Sequence, residues 1–539
     1  MTAVGVPPVP VGAAETRTGT GLPERLNACE YLLDRRLQAG DGERVALQVR
    51  GGEPLTYREL AARVAQVAGA LRALGVRPEE RVPLALLDGV EFVASFLGAL
   101  RVGAVPVPMS TMLTGAELAF QCADARARVA VASAALGPAL AEMTEGAAEL
   151  ADLVLAGDAP VVIPATVRTH RFDDWTEAPS SWEAAAAYQT WPDSPAFWLY
   201  TSGTTGKPKA AMHRHADLPY TAETYARQVL QISHQDRCYS VAKLFFAYGL
   251  GNALTFPLSA GASAVLDPGR PTPQGVAETV RSTRPTLFFA VPTFYAALLA
   301  AEAGGAVQRD TFASVRLGVS AGEPLPAGLC TRLKDRFGLD VLDGLGTTEA
   351  LHIFLSNWPG EIRPGTTGRV VPGYRVRLVD DADAAVPPGG GTGHLLVAGD
   401  SVATGYWCRT EVTRRTFQGE WLRTGDVYSC DEDGVFTYQG RSDDMIKAGG
   451  IWVSPAEVEA TLIQHPAVLE AAVVARHTPD GIEEPVAFVV PLPGHTVDAG
   501  ELIAFCRERL AAFKRPRQVF FADELPKTAT GKIQRFKLR

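Results

Sequence analysis

Tyr200-Thr-Ser-Gly-Thr-Thr-Gly-Lys-Pro-Lys209 is the stretch that decides the fold of this chain. It follows Ala196-Phe-Trp-Leu, an apolar run of strand type, and concentrates hydroxyls, glycines and lysines in one loop. Glycine lets backbone approach an anion closely, N–H and O–H groups donate to its oxygens, and lysine offsets its charge. Those are the demands of a polyphosphate, and they make Thr201, Ser202, Gly203, Thr204, Thr205, Gly206 and Lys207 the candidate contacts. The loop is not a G-x-x-x-x-G-K-[ST] loop. Gly203 and Gly206 are too close together, and Pro208 stands where a magnesium-binding hydroxyl is needed.

On either side of this loop, helices alternate with short apolar runs. Thr56-Tyr-Arg-Glu59 and Thr114-Gly-Ala-Glu117 have the capping-box pattern, and the first opens a segment with apolar residues at helical spacing. Between such helices lie RVPLALL, GAVPVPM, ARVAVAS, TLFFAVP and SVRLGVSAG. Strands of this kind between helices predict an α/β chain of layered sheets and helices, with much of the sheet parallel. No fixed-period repeat is present.

Composition agrees with a packed protein. The 539 residues exceed what one core usually serves, so two or more domains are expected. The chain is 47% hydrophobic and 21% charged, which excludes a disordered or fibrous polymer. A net charge of −9 offers no general attraction for nucleic acid. Residues 1–22 are read as a loose tail rather than a signal peptide, because prolines replace the basic and apolar regions such a peptide needs. The apolar stretch 286–301 is short for a membrane span and contains Pro292, so a strand, loop and helix are expected there. Seven scattered cysteines without a CxxC pair fit reduced thiols rather than a disulfide framework or zinc site, and a cytoplasmic protein is expected.

Near residue 440 the texture changes. Ser454-Pro-Ala-Glu457 starts a helix with Pro455 at its first position, followed by strand, strand, helix and strand over about 100 residues. The expected division is a tail at 1–22, a large N-terminal domain at 23–440, a short polar hinge at 441–444 and a small α+β domain at 445–539.

Two motifs invite other chemistry. Gly318-Val-Ser-Ala-Gly322 matches the G-x-S-x-G nucleophile elbow, but Pro324 and Pro326 oppose the helix that must follow the serine directly. His213-Arg-His215 resembles a metal site without further ligands at suitable spacing, and is expected to be basic loop surface.

The loop at 200–209 resembles the signature of the adenylate-forming superfamily, which includes acyl- and aryl-CoA ligases, peptide-synthetase adenylation domains and luciferases. Further matches follow in order along nearly the whole chain: Ser320-Ala-Gly-Glu323, Asp343-Gly-Leu-Gly-Thr-Thr-Glu349, Trp421-Leu-Arg-Thr-Gly-Asp426, Gly440-Arg-Ser-Asp-Asp-Met-Ile-Lys447 and Pro526-Lys-Thr-Ala-Thr-Gly-Lys532. The resemblance implies a large N-terminal adenylate-forming domain and a small mobile C-terminal domain. It implies nucleotide contacts from Ala321, Gly322, Glu323, Asp343 and Gly344, with Asp426 and Arg441 on the ribose. Thr348 would donate to the α-phosphate, and Glu349 would hold Mg2+, a hard cation suited to carboxylate oxygen. Lys532 would bridge the substrate carboxylate and α-phosphate, where charge accumulates in the transition state. Taken singly, Asp426 could cap a turn and Glu349 or Lys532 could be solvated charges.

Lys243-Leu-Phe-Phe-Ala-Tyr-Gly-Leu-Gly-Asn252, Gly344–Ile353 and Lys447–Pro455 are most similar to the benzoate-CoA ligase branch. That similarity implies an acyl pocket lined by Phe246, Ala247, Tyr248, Gly346, His352 and Ile353. Apolar and aromatic walls suit a flat ring, the glycine leaves room, and the histidine could meet a ring substituent. Phe245 is assigned to the core. In related enzymes the C-terminal domain rotates at the position of Asp443. That movement withdraws the lysine matching Lys532 and brings Gly449, Gly450 and Trp452 to a pantetheine channel.

The expected activity is therefore an ATP-dependent aryl-CoA ligase. Benzoate or a substituted benzoate becomes an acyl-adenylate with release of pyrophosphate, and the acyl group then passes to CoA. The alternative is a stand-alone aryl adenylation enzyme that loads a separate carrier protein. A third class, a non-catalytic nucleotide-binding protein, conflicts with the presence of Thr348, Glu349, Asp426, Arg441 and Lys532. A small aromatic acid is the expected partner, with neither nucleic acid nor membrane, in a monomer or homodimer.

Overall fold

Thr56 and Thr114 each close a reciprocal capping box, with Glu59 and Glu117 respectively, and so fix the starts of helices Tyr57–Ala73 and Gly115–Asp124. In this computed structural model the described residues are 22–177, 186–202, 208–442, 444–448, 451–477, 483–527 and 533–539.

Among them, a nine-stranded sheet runs in the order Arg369–Val370, Ile353–Ser356, Val341–Gly346, Leu317–Ala321, Leu287–Ala290, Arg237–Ser240, Ser263–Leu266, Val45–Val49 and Pro54–Thr56. The six central strands are parallel and the outer ones antiparallel. The central strands are short, and Ser263–Leu266, Leu287–Ala290 and Leu317–Ala321 are buried at every position, as packing on both faces requires. From strand Arg237–Ser240 the chain passes to Ser263–Leu266 on one side and then to Leu287–Ala290 on the other. At a reversal of this kind, ligands of such sheets bind outside the carboxyl ends of the strands.

A second, parallel five-stranded sheet comprises Val105–Pro108, Arg81–Ala85, Val129–Ser133, Asp152–Ala156 and Arg168–Arg171. One apolar cluster links Leu47 and Leu266 of the first sheet to Leu84 and Val131 of the second through Leu60, Val64, Phe92 and Phe96 of two helices. An antiparallel sheet containing Thr392–Ala398, Trp421–Cys430 and Phe436–Arg441 adjoins this body. The hairpin Pro195–Ser202/Pro208–Arg214 carries the phosphate-type loop at its tip. The backbone of its second strand also bonds to Thr404, Gly405 and Trp407.

Beyond residue 445 a separate core gathers Ile446, Val458, Val473, Val489, Leu502 and Val519. Strands Val468–His477 and Glu483–Pro491 are antiparallel, and Gln518–Phe521 joins in parallel. Ser454 caps helix Pro455–Ile463, as the sequence predicts. The extra hairpin Ile446–Ala448/Ile451–Val453 is not legible in the sequence, being too short to show alternation.

His213 and His215 do not form basic loop surface. His213 lies on strand Pro208–Arg214 and His215 just beyond its end; they are 1% and 0% exposed, because packing against Phe197 and the backbone of Ala28 takes them inside. The serine at 320 is followed by a loop, and a helix starts only at Ala327, as the prolines dictate. Stretch 286–301 is a strand followed by a helix. No helix among the described residues is long and apolar enough to cross a membrane.

Candidate active site

Segments that leave three of the parallel strands border the carboxyl ends of the nine-stranded sheet. From strand Arg237–Ser240 the chain enters Phe246, Ala247 and Tyr248, all half-buried. Strand Leu317–Ala321 ends at Ala321, and Gly322 follows with a φ of 94°, a left-handed conformation that glycine adopts without strain. Strand Val341–Gly346 supplies Asp343, Gly344 and Gly346 and runs into the turn Thr348–Ala350. Tyr248 spans these strand ends, its hydroxyl donating to the carbonyl of Val319 at 3.0 Å.

The turn bearing Thr348 and Glu349 is held from outside at three successive carbonyls. His213 Nε2 lies 2.8 Å from the Thr348 oxygen, the Ala403 amide donates to Glu349 at 2.7 Å, and the Ser401 hydroxyl donates to Ala350 at 2.8 Å. Thr347 Oγ accepts from the Ala350 amide and caps the turn. The Tyr406 hydroxyl donates to Glu349 Oε1 at 2.6 Å, a charge-assisted bond that fixes the carboxylate. Lys209 lies 4.2 Å from the centroid of the Tyr406 ring. Burial lowers the pKa of the Lys209 ammonium, and the nearby Glu349 carboxylate opposes that shift.

Asp426 and Arg441 are cross-strand partners, with Nη1 2.9 Å from Oδ1. Asp426 is buried while the guanidinium is partly exposed. Asp343 is buried with Oδ1 lacking any hydrogen-bond partner, and burial raises its pKa well above the usual carboxylate range. A nucleotide fits these residues. The orphaned Asp343 oxygen can meet a base edge, the Asp426 carboxylate suits paired hydroxyls, and the Lys209–Glu349 neighbourhood accommodates both phosphate and its hard counter-ion.

His352 is buried among Tyr225, Tyr248 and Phe256, with ring centroids 5.5, 5.8 and 4.4 Å away. Neither of its nitrogens has a hydrogen-bond partner, and burial lowers its pKa to about 3, so the ring is neutral. Ile353 is buried beside it on the next strand. Gly251 makes room for this imidazole: a Cβ there would come within 2.5 Å of Nε2. Gly346 has a different reason for being glycine from the room for a ring that the sequence suggests. A Cβ at 346 would lie 2.6 Å from the His352 carbonyl oxygen, so the close strand crossing itself demands glycine. Phe245 belongs to the core, as the sequence predicts.

Thr201 and Ser202 end the first hairpin strand and Trp452 lies within strand Ile451–Val453. Glu323 is half-buried just beyond Gly322. Gly203, Thr204, Thr205, Gly206, Lys207, Asp443, Gly449, Gly450 and Lys532 lie outside the described residues. Sequence reasoning missed Tyr406 and Ser401 and misassigned His213. Only the alternation of strand Pro208–Arg214 hints at an inward-facing histidine.

The profile of the AMP-binding enzyme family matches residues 34–407, and that of the AMP-binding enzyme C-terminal domain matches residues 457–532. The chain is 46% identical over 524 residues to a benzoate–CoA ligase of Thauera aromatica, covering 96% of each chain. It is 42% identical to the crystal structure of the anthranilate CoA ligase AuaEII in complex with anthranoyl-AMP, with a TM-score of 0.89 over 96% of this chain and 97% of that one. A benzoate CoA ligase structure from Burkholderia xenovorans LB400 is 45% identical, with a TM-score of 0.86 over 95% and 99%. With both profiles matched in order and these similarities spanning almost its full length, the chain belongs to the AMP-binding, adenylate-forming enzyme family.

Proposed function

We propose that this protein is an ATP-dependent aryl-CoA ligase that converts benzoate or a substituted benzoate to its CoA thioester through an acyl-adenylate. The observation that carries this is a nucleotide-type cluster, Asp426–Arg441 and Tyr406–Glu349, with the aromatic cluster of Tyr225, Tyr248 and Phe256 gathered around His352, three residues after Glu349. A carboxylate is a poor electrophile. Exchange of one of its oxygens into a bond with the α-phosphorus, with pyrophosphate leaving, provides a carbonyl that a thiol can attack.

Asp426 and Arg441 hold the ribose, and Asp343 meets the base. Thr348 donates to the α-phosphate, while Glu349, oriented by Tyr406, would hold Mg2+. The metal supplies neutralisation of the polyphosphate charge. Tyr248, Ala247, Phe246, Gly346, His352 and Ile353 enclose the ring and exclude water from the activated carbonyl. Lys532 places its ammonium on the developing charge during the first half-reaction. Rotation about residues 441–444, with Asp443 as the pivot, then exchanges that lysine for the Gly449–Gly450 segment and Trp452, beside which the thiol approaches.

An aromatic acid panel tested by ATP–pyrophosphate exchange, followed by CoA thioester formation, checks this function. Exchange with benzoates and thioester from free CoA are expected. Exchange without a thioester from free CoA would instead favour a carrier protein as acceptor, and no exchange with any aromatic acid overturns the proposal.

A further inference from the structure

We infer that His213 is a positioning residue for adenylation, holding the turn that carries Thr348 and Glu349 through the Thr348 carbonyl. This role rests on the adenylation proposed above. The imidazole is fully buried, with Nε2 2.8 Å from the Thr348 oxygen and Nδ1 2.9 Å from Asp217 Oδ2. Each ring nitrogen thus faces an oxygen, one of a carboxylate and one of a backbone carbonyl. Asp217 is itself pinned, since it accepts from the Arg214 amide and guanidinium, both at 3.1 Å. Arg214 also reaches Asp193 at 2.6 Å and the Asp400 carbonyl. Phe197 stacks on the imidazole, 5.0 Å between centroids and 15° from parallel, and fixes its plane.

A chain of polar contacts thus runs from Asp193 through Arg214, Asp217 and His213 to the turn. His213 lies on the second strand of the hairpin whose tip carries the phosphate-type loop. It therefore ties strand Pro208–Arg214 to the Thr348–Glu349 turn across 135 positions of sequence. A buried residue needed only for packing has no call for a carboxylate on one nitrogen and a catalytic-turn carbonyl on the other.

The test compares wild type with His213→Leu and His213→Gln in the two half-reactions separately. In His213→Leu the maximal rate of pyrophosphate release falls about 10-fold, the upper range for one lost hydrogen bond. Its KM for benzoate is unchanged, and thioester formation from supplied benzoyl-adenylate is unaffected. His213→Gln, which keeps a donor, recovers most of the adenylation rate. Where the leucine variant does not fold, Asp217→Asn carries the same comparison, and its adenylation is selectively slowed. An equal fall in both half-reactions, no fall in adenylation, or a glutamine variant no better than leucine overturns the inference. Wild-type protein that releases no pyrophosphate overturns the adenylation proposal and this role together. Active wild type with indifferent variants overturns this role alone.

Discussion

Tyr406 donates its phenolic hydrogen to Glu349 Oε1 at 2.6 Å across 57 positions of sequence. Burial first and the carboxylate second raise the pKa of that phenol, so it remains a donor at any working pH. One carboxylate oxygen is thereby occupied and the rotamer of Glu349 is set before any ligand arrives. Preorganisation of this kind lowers the cost of binding a cation that tolerates little error in its oxygen geometry.

Tyr406→Phe should therefore weaken the response to Mg2+. The half-saturating Mg2+ concentration in pyrophosphate exchange is expected to rise about 10- to 100-fold, the scale of one hydrogen bond to a charged group. Thioester formation from supplied acyl-adenylate should not change. An unaltered Mg2+ titration removes the role given to Tyr406.

Asp426→Ala removes one partner of the Arg441 guanidinium and the acceptor proposed for the ribose hydroxyls. The KM for ATP should rise by about 10- to 100-fold, because a site built to bond hydroxyls loses both contacts at once. The KM for benzoate should hardly move. A parallel rise for both substrates would show a general loss of structure instead.

Lys532→Ala should lower adenylation by about 10²–10³, the usual loss on deleting one preorganised charge stabiliser. The thioester half-reaction should proceed at the wild-type rate when acyl-adenylate is supplied. Wild-type-like pyrophosphate release by the variant would end this assignment.

Gly450→Leu and Asp443→Pro act on the other half-reaction. A side chain at 450 should obstruct the thiol, and proline at 443 should restrict φ at the pivot. Both variants should accumulate bound acyl-adenylate and turn over CoA slowly, measurable by quench and chromatography. Equal loss in both half-reactions would place the channel and pivot elsewhere.

His352 bears on both stability and specificity. Its pKa, and that of His215, falls to about 3 on burial, whereas unfolded histidine titrates near 6.5. The unfolded chain therefore takes up protons first as the pH drops. Stability is full above about pH 6.5 and declines on acidification, at most by about 1.4 kcal/mol per pH unit for each ring. Urea unfolding between pH 7 and 5 should show this slope, and His352→Ala should remove one ring's share of it. The same variant should lose about 5- to 150-fold in kcat/KM for a ring-substituted benzoate that bonds the imidazole, and much less for benzoate itself. An equal loss for every acid leaves only a packing role.

The sequence alone determined the α/β class, the presence of a small second unit and the helix starts at Thr56, Thr114 and Ser454, and it gave the 200–209 loop the composition expected of a phosphate site. These are local properties. Capping depends on residues three apart, strand character on a short apolar run, and phosphate affinity on glycine, hydroxyl and lysine within one loop. Only the tertiary structure decided why Gly346 must be glycine, that His213 is buried, and which groups hold the Thr348–Glu349 turn. Gly346 answers to the backbone of His352 in the adjacent strand. His213, Ser401, Ala403 and Tyr406 reach the turn from segments separated from it in sequence, because strand Pro208–Arg214 bonds to residues 404–407. Hydrogen bonds between distant segments depend on strand register and on the face each side chain takes, and a linear pattern of residue types specifies neither partner.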